Sequence, residues 1–234
     1  MINAEAINLF PLTLYKSQLV LNESLKKEMV DEILNMKKNS MQIEYKDKNS
    51  AWTGDTQGYE KIFENIKFKF FFEEISKHIK KYLEYFMIDD EKLDCYFQRS
   101  WATISDGKEN INLHVHSQSH LSFAYYLKLS EGDSSIQFKN NYNQNEFIPS
   151  LFASPSINMN KIFKSRNLRN VYVVDIKCKE NDLLIFPSKI LHGTQANLDN
   201  NKRISISADI VFFAKDSKNI EHLMPPLNSW KKIN

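Results

Sequence analysis

The chain is short of several things, and each shortage removes a class of protein. It has two cysteines in 234 residues, Cys95 and Cys178, and no Cys-x-x-Cys pair. Two thiols cannot build a disulfide framework, which points to a reducing compartment. It has only five glycines, no GxGxxG and no phosphate-binding loop, which argues against a glycine-loop nucleotide fold. No apolar run approaches the length of a membrane span. The most apolar stretch, Phe68 to Phe72, is interrupted by Lys69 and followed by Glu73-Glu74. The N-terminal residues carry no basic segment ahead of an apolar run, which argues against a secretory signal. Charge is balanced: 31 basic against 29 acidic residues give a formal net charge of +2. No global pull toward nucleic acid or membrane follows, and Lys231-Lys232 reads as solvated surface. A cytoplasmic protein is expected.

What the chain does have is aromatic core material, with 16 Phe and 10 Tyr. Its length suits one domain with a sizeable core. Residues 7–21 read as extended. Asn22 and Ser24 mark a helix start, with Leu25, Met29, Ile33 and Leu34 at helical spacing. Residues 37–58 read as loop. Ile62, Phe63, Ile66, Phe70, Ile75, Ile79 and Leu83 predict a helix over roughly 59–86, with a break near the Phe cluster. Alternating strand patterns then occupy 94–105, 121–129, 135–139, 171–177, 183–187 and 203–213. Turns are expected at 107–112, at Gly132-Asp133 and at 180–182. A long loop or lid is expected over 140–169, where Lys161, Lys164, Arg166 and Arg169 could meet an anionic substrate but read first as solvated charge. The tail 214–234 should wrap the surface. Helices first and strands later give an α+β class with a jelly-roll or barrel core. The expected divisions are a helical and extended support over 1–93, a β core over 94–213 and the tail.

Six histidines are present. His78 in the long helix and His222 in the tail carry no assigned chemistry. His114 and His116 lie two apart, which on one strand would put both rings on one face. His192 could complete a metal site, since neutral imidazole suits first-row metals. Taken alone, HVHSQSH could equally be a polar loop and His192 a turn residue. In RISISAD, Arg203, Ser205, Ser207 and Asp209 alternate with Ile204, Ile206, Ala208 and Ile210. The polar row faces either water or a polar cavity. Arg203 offers a planar fork for a carboxylate, and Ser205 adds a hydroxyl donor. Together these residues suggest a non-haem iron enzyme with an anionic co-substrate.

His192, ten residues, then Arg203-x-Ser205 resembles the second half of the signature of 2-oxoglutarate/Fe(II)-dependent oxygenases. HVHSQSHLSFAYYLKL followed by LLIFPSKILHGTQANLDNNKRISIS is similar to an uncharacterised bacterial and phage group within the prolyl-hydroxylase-like superfamily. Leu9-Phe10-Pro11 and Ser100-Trp101 add to the likeness. The resemblance implies a double-stranded β-helix with N-terminal helices packed on it. It implies Fe(II) at His114, His116 and His192, these three being the catalytic centre. It implies 2-oxoglutarate as co-substrate, with Arg203 and Ser205 on its distal carboxylate and Tyr126 beside them. Trp101 could line the same pocket or simply pack the core. One position departs from the pattern, because most of the superfamily has a carboxylate where His116 stands. The expectation is three imidazoles; the alternative is a remote His116, with Asp209 or Gln118 supplying an oxygen. His120 has the parity to join them but stays outside the expected ligand set. Zn or Ni could also occupy such a set.

The expected activity is O2-dependent hydroxylation of a substrate that the sequence does not specify, releasing succinate and CO2. Two other readings stand beside it. One is a cupin-like three-histidine dioxygenase that needs no 2-oxoglutarate. The other is a non-catalytic barrel that binds a metal or ligand.

Overall fold

In a computed structural model, residues 5–40, 50–130, 135–140, 145–149, 151–152, 163–196 and 202–233 are described. The expected turn at Gly132-Asp133, Lys161 and much of the expected lid lie outside them. Two antiparallel sheets face each other. The larger runs β1 (Tyr15–Gln18), β8 (Asp182–Pro187), β5 (Leu121–Lys128), β10 (Lys202–Ala214), β3 (Leu93–Asp106) and β2 (Trp52–Thr53) in that spatial order. The smaller runs β4 (Ile111–His114), β9 (Leu191–Thr194), β6 (Ser135–Lys139) and β7 (Val173–Lys177). This is a jelly-roll, double-stranded β-helix architecture of α+β class.

Two helices cover the outer face of the larger sheet. Helix α1 (Glu23–Asn39) starts where Asn22 Oδ1 accepts the Leu25 N–H at 2.8 Å, and Lys37 and Lys38 favour its C-terminal dipole. It buries Met29, Ile33 and Met36. Helix α2 (Lys69–Tyr85) buries Phe71, Phe72, Ile75, Ile79, Tyr82 and Leu83. These side chains share a core with Phe123, Tyr125, Leu183, Ile185, Ile204, Ile206, Ala208 and Ile210 of the sheet. Each fully buried aromatic or branched side chain contributes about 1.5–3 kcal/mol relative to exposure. A second, smaller core lies between the sheets and includes Tyr126, Ile136, Phe138, Leu184 and Phe186.

Three expectations need correction. The single helix over 59–86 is instead two short 3-10 turns, Ile62–Glu64 and Ile66–Phe68, followed by α2. Asn65 ends the first turn and caps the second by accepting the Lys67 N–H, so the helical hydrogen-bond ladder restarts there. The strand at β9 was not foreseen, because Leu-His-Gly-Thr lacks both length and alternation. The turn expected over 107–112 ends early, since β4 begins at Ile111.

Candidate metal centre and pocket

The centre is assembled by pairing β4 with β9, which places His114 opposite His192. Their ring centroids are 4.5 Å apart. Between them Gly193 permits close approach, since a Cβ there would meet the Ile111 carbonyl oxygen at 2.7 Å. His116 lies beyond the end of β4, so the expected pair of rings on one uninterrupted strand does not form. A different device aims it. Its N–H donates to the Ser188 carbonyl at 3.0 Å, and the His120 N–H donates to the Ile210 carbonyl at 2.9 Å. The segment 116–120 is thereby clamped between Ser188, just past β8, and Ile210 within β10.

The three rings converge. His114 Nε2 and His116 Nε2 are 3.1 Å apart, and one nitrogen from each of the three histidines lies within 4.8 Å of the others. Every Nδ1 is occupied on the far side of its ring. His114 Nδ1 donates to the Asn112 carbonyl at 2.8 Å, His192 Nδ1 to the Ile190 carbonyl at 2.7 Å, and His116 Nδ1 to Asp209 Oδ1 at 2.9 Å. An Nδ1–H that donates outward leaves the Nε2 lone pair facing inward, as a metal ligand requires. Burial lowers the pKa of His114, and burial pushes His192 down to about 3. Both are therefore neutral at neutral pH and able to coordinate. Three convergent imidazole nitrogens with outward-anchored tautomers fit a first-row transition metal.

The alternative in which Asp209 supplies a metal oxygen does not fit its contacts. Asp209 is fully buried and stands behind His116. Its Oδ1 also accepts from Ser122 Oγ at 3.0 Å, and its Oδ2 accepts from Arg99 and from Gln118 Nε2 at 3.3 Å. Burial pushes its carboxyl pKa up, but His116 and Arg99 outweigh that and hold it below the usual range. Gln118 is likewise turned to Asp209. His120 is a structural residue here, its Nδ1 accepting the Phe212 N–H at 3.0 Å.

Beside the histidines a pocket of about 80 Å³ opens between the sheets, lined by Trp101, Tyr126, Ile136, Phe186, Arg203 and Ser205 among others. Arg203 is 2% exposed. One of its terminal nitrogens donates to Ser105 Oγ and to Thr194 Oγ1, both at 2.9 Å. Ser205 pairs with Tyr126 across β10 and β5. Burial raises the Tyr126 phenol well above its ordinary range, so it remains a hydroxyl donor. Trp101 stacks on His116 with centroids 5.5 Å apart.

Residues 99–209 match the family described as "Putative 2OG-Fe(II) oxygenase". The match covers a little under half of the chain, the part that carries the candidate site. The matched span contains all three histidines and Arg203, and Fe(II) and 2-oxoglutarate are the family's metal and co-substrate. No curated protein matches the chain in sequence. Its fold is similar to AviO1 from Streptomyces viridochromogenes Tue57, at 8% identity, covering 92% of each chain with a TM-score of 0.55. It is also similar to HygX from Streptomyces hygroscopicus, crystallised with nickel, 2-oxoglutarate and hygromycin B, at 10% identity over 86% of this chain and 83% of that one, TM-score 0.53. A Pseudomonas putida prolyl-4-hydroxylase is 9% identical over 85% of this chain and 92% of that one, TM-score 0.50. At these identities the likeness concerns the fold alone.

Sequence reasoning missed Ser105 and Thr194, the partners of Arg203, and Arg99, the partner of Asp209. Thr194 sits two residues after His192 on β9, so strand parity would have found it had β9 been recognised. Ser105 and Arg99 come from β3, and only the β3–β10 register brings them in, with Arg203 opposite Ser105 and Asp209 opposite Arg99.

Proposed function

We propose that this chain is a non-haem Fe(II)- and 2-oxoglutarate-dependent dioxygenase that hydroxylates its substrate and releases succinate and CO2. His114, His116 and His192 would hold the iron. Bound there, the metal supplies O2 activation: one oxygen atom enters succinate as 2-oxoglutarate loses CO2, and the other enters a substrate C–H bond.

The observation that carries this reading is Arg203. A guanidinium at the bottom of a pocket beside three convergent imidazoles offers a charge-assisted fork for a dicarboxylate whose other end reaches the metal. Ser105 and Thr194 hold that guanidinium in one orientation, which lowers the entropy lost on binding. Ser205 and the protonated Tyr126 would donate to the same carboxylate. Ile136 and Phe186 exclude water and strengthen these interactions.

A three-histidine dioxygenase without 2-oxoglutarate would share the metal ligands but has no use for a buried arginine. The test separates the two. Fe(II)-loaded protein should bind 2-oxoglutarate under anaerobic conditions and form succinate when O2 is admitted. Arg203→Ala should weaken 2-oxoglutarate binding roughly a hundredfold, the order expected for truncating a buried charge partner, while metal affinity holds. Equal 2-oxoglutarate affinity in the variant would remove Arg203 from the site and with it this function.

A further inference from the structure

The anchors behind the three imidazoles are unequal. His114 and His192 each donate to a main-chain carbonyl, a neutral acceptor, whereas His116 donates to the carboxylate of Asp209. Nothing in the strand pairing demands this, since a carbonyl serves the other two rings. Asp209 in turn belongs to a charged trio. Arg99 Nε and Nη2 donate to Asp209 Oδ2 at 3.1 and 2.7 Å, and Arg99 Nη1 reaches Asp55 Oδ2 at 3.4 Å. Asp55 comes from the short 3-10 turn Gly54–Gln57, and its other oxygen, Oδ1, is buried with no hydrogen-bond partner among the described residues. One guanidinium thus faces two carboxylates, and the trio carries one net negative charge.

A ligand set of three neutral imidazoles is one negative charge poorer than two imidazoles and a carboxylate. Resting on the metal assignment above, we propose that the trio of the buried Asp209 with the partly buried Arg99 and Asp55 returns that charge to the centre through the His116 ring, with Asp209 as the positioning residue and Asp55 drawing off part of the Arg99 charge. The carboxylate that such a centre ordinarily carries on the metal has here moved one imidazole outward. A carboxylate behind a ligating histidine fixes its tautomer and raises its basicity. Asp209 itself is fully buried, and there its charge acts over a longer range than at a surface. Trp101 completes the mount: it stacks on His116 while the Arg99 guanidinium lies 5.1 Å over its ring. Asp209, Arg99 and Trp101 thus fix the ring of His116 at its edge and its face.

The test uses the full-length chain and Co(II) as the probe, titrated anaerobically and followed by visible absorption, in wild type, Asp209→Asn and Asp55→Asn. Asn at 209 preserves volume and one acceptor, and so removes charge while leaving room for the hydrogen bond. Asp209→Asn should weaken Co(II) about 10–100-fold, the usual cost of altering such a partner. Asp55→Asn, which contacts no histidine, should weaken it in the same sense by a smaller factor. The midpoint potential of bound iron should rise in both, a readout that a purely architectural role would not move. Unchanged affinity and potential in Asp209→Asn overturn the proposal, as does an Asp209→Asn effect that Asp55→Asn does not share in sign. If Asp209→Asn does not fold, Asp55→Asn decides alone. Failure of the wild type to bind Co(II) would instead overturn the metal centre itself, and the function with it.

Discussion

One face of β10 is buried under the helices and the other borders the pocket, and they do opposite work. One face carries Ile204, Ile206, Ala208 and Ile210, which are fully buried under the helices. The other carries Arg203 and Asp209, also buried, with Ser205 and Ser207 on the pocket wall between them. The apolar face stabilises the fold by removing hydrocarbon from water, and its side chains can be exchanged for others of similar volume. The polar face costs free energy unless each group finds its partner. Arg203 finds Ser105 and Thr194; Asp209 finds His116, Ser122, Arg99 and Gln118. A face that buries an arginine and an aspartate, each held by several partners, beside two serines on a pocket wall marks a place where the chain has been shaped for chemistry rather than for stability.

Substitutions on the two faces should have opposite effects. His192→Ala, on the chemical side, should abolish metal binding and succinate formation while leaving the melting temperature within a few degrees of wild type. Ile206→Ala, on the helix side, should cost about 2–5 kcal/mol of stability through the cavity it leaves, with metal affinity of the folded fraction unchanged. Denaturant unfolding paired with metal titration would check both. A large stability loss in the first, or a lost metal in the second, would show that the two faces are not separable.

Gly193 sharpens the division because it belongs to both accounts. Its added Cβ in Gly193→Ala would press on the Ile111 carbonyl at 2.7 Å and on Asn112 backbone atoms at 3.1 Å, so β9 must move away from β4. A cost of about 1–3 kcal/mol is expected for such overpacking, together with weaker metal binding as His114 and His192 separate. Lost stability at unchanged metal affinity would show that this glycine sets strand packing but not the spacing of the two rings.

Much of this was legible from sequence where a pattern is local. The RISISAD alternation has a period of two, and the structure keeps Arg203, Ser205 and Ser207 on one side of β10 up to the irregularity between Asp209 and Ile210. The resemblance carried by His192 and Arg203-x-Ser205 is to the same kind of oxygenase that residues 99–209 match. Local pattern failed where tertiary hydrogen bonds decide. His116 is aimed by Ser188 and Asp209, not by strand parity with His114. The helical period through residues 59–68 was real, but Asn65 intercepts the ladder with its side chain. β9 is too short to announce itself and exists because β4 and β6 flank it. The Asp55–Arg99–Asp209 trio joins residues 44 and 110 positions apart, a distance that no periodicity spans.

Three imidazoles meeting at one ion are the core of the proposed centre, and X-ray absorption on the anaerobic Fe(II)-loaded protein counts them directly. Scattering from three imidazole ligands is predicted, falling to two in His116→Ala. Two imidazoles in the wild type, with His116→Ala leaving the spectrum unchanged, would contradict it.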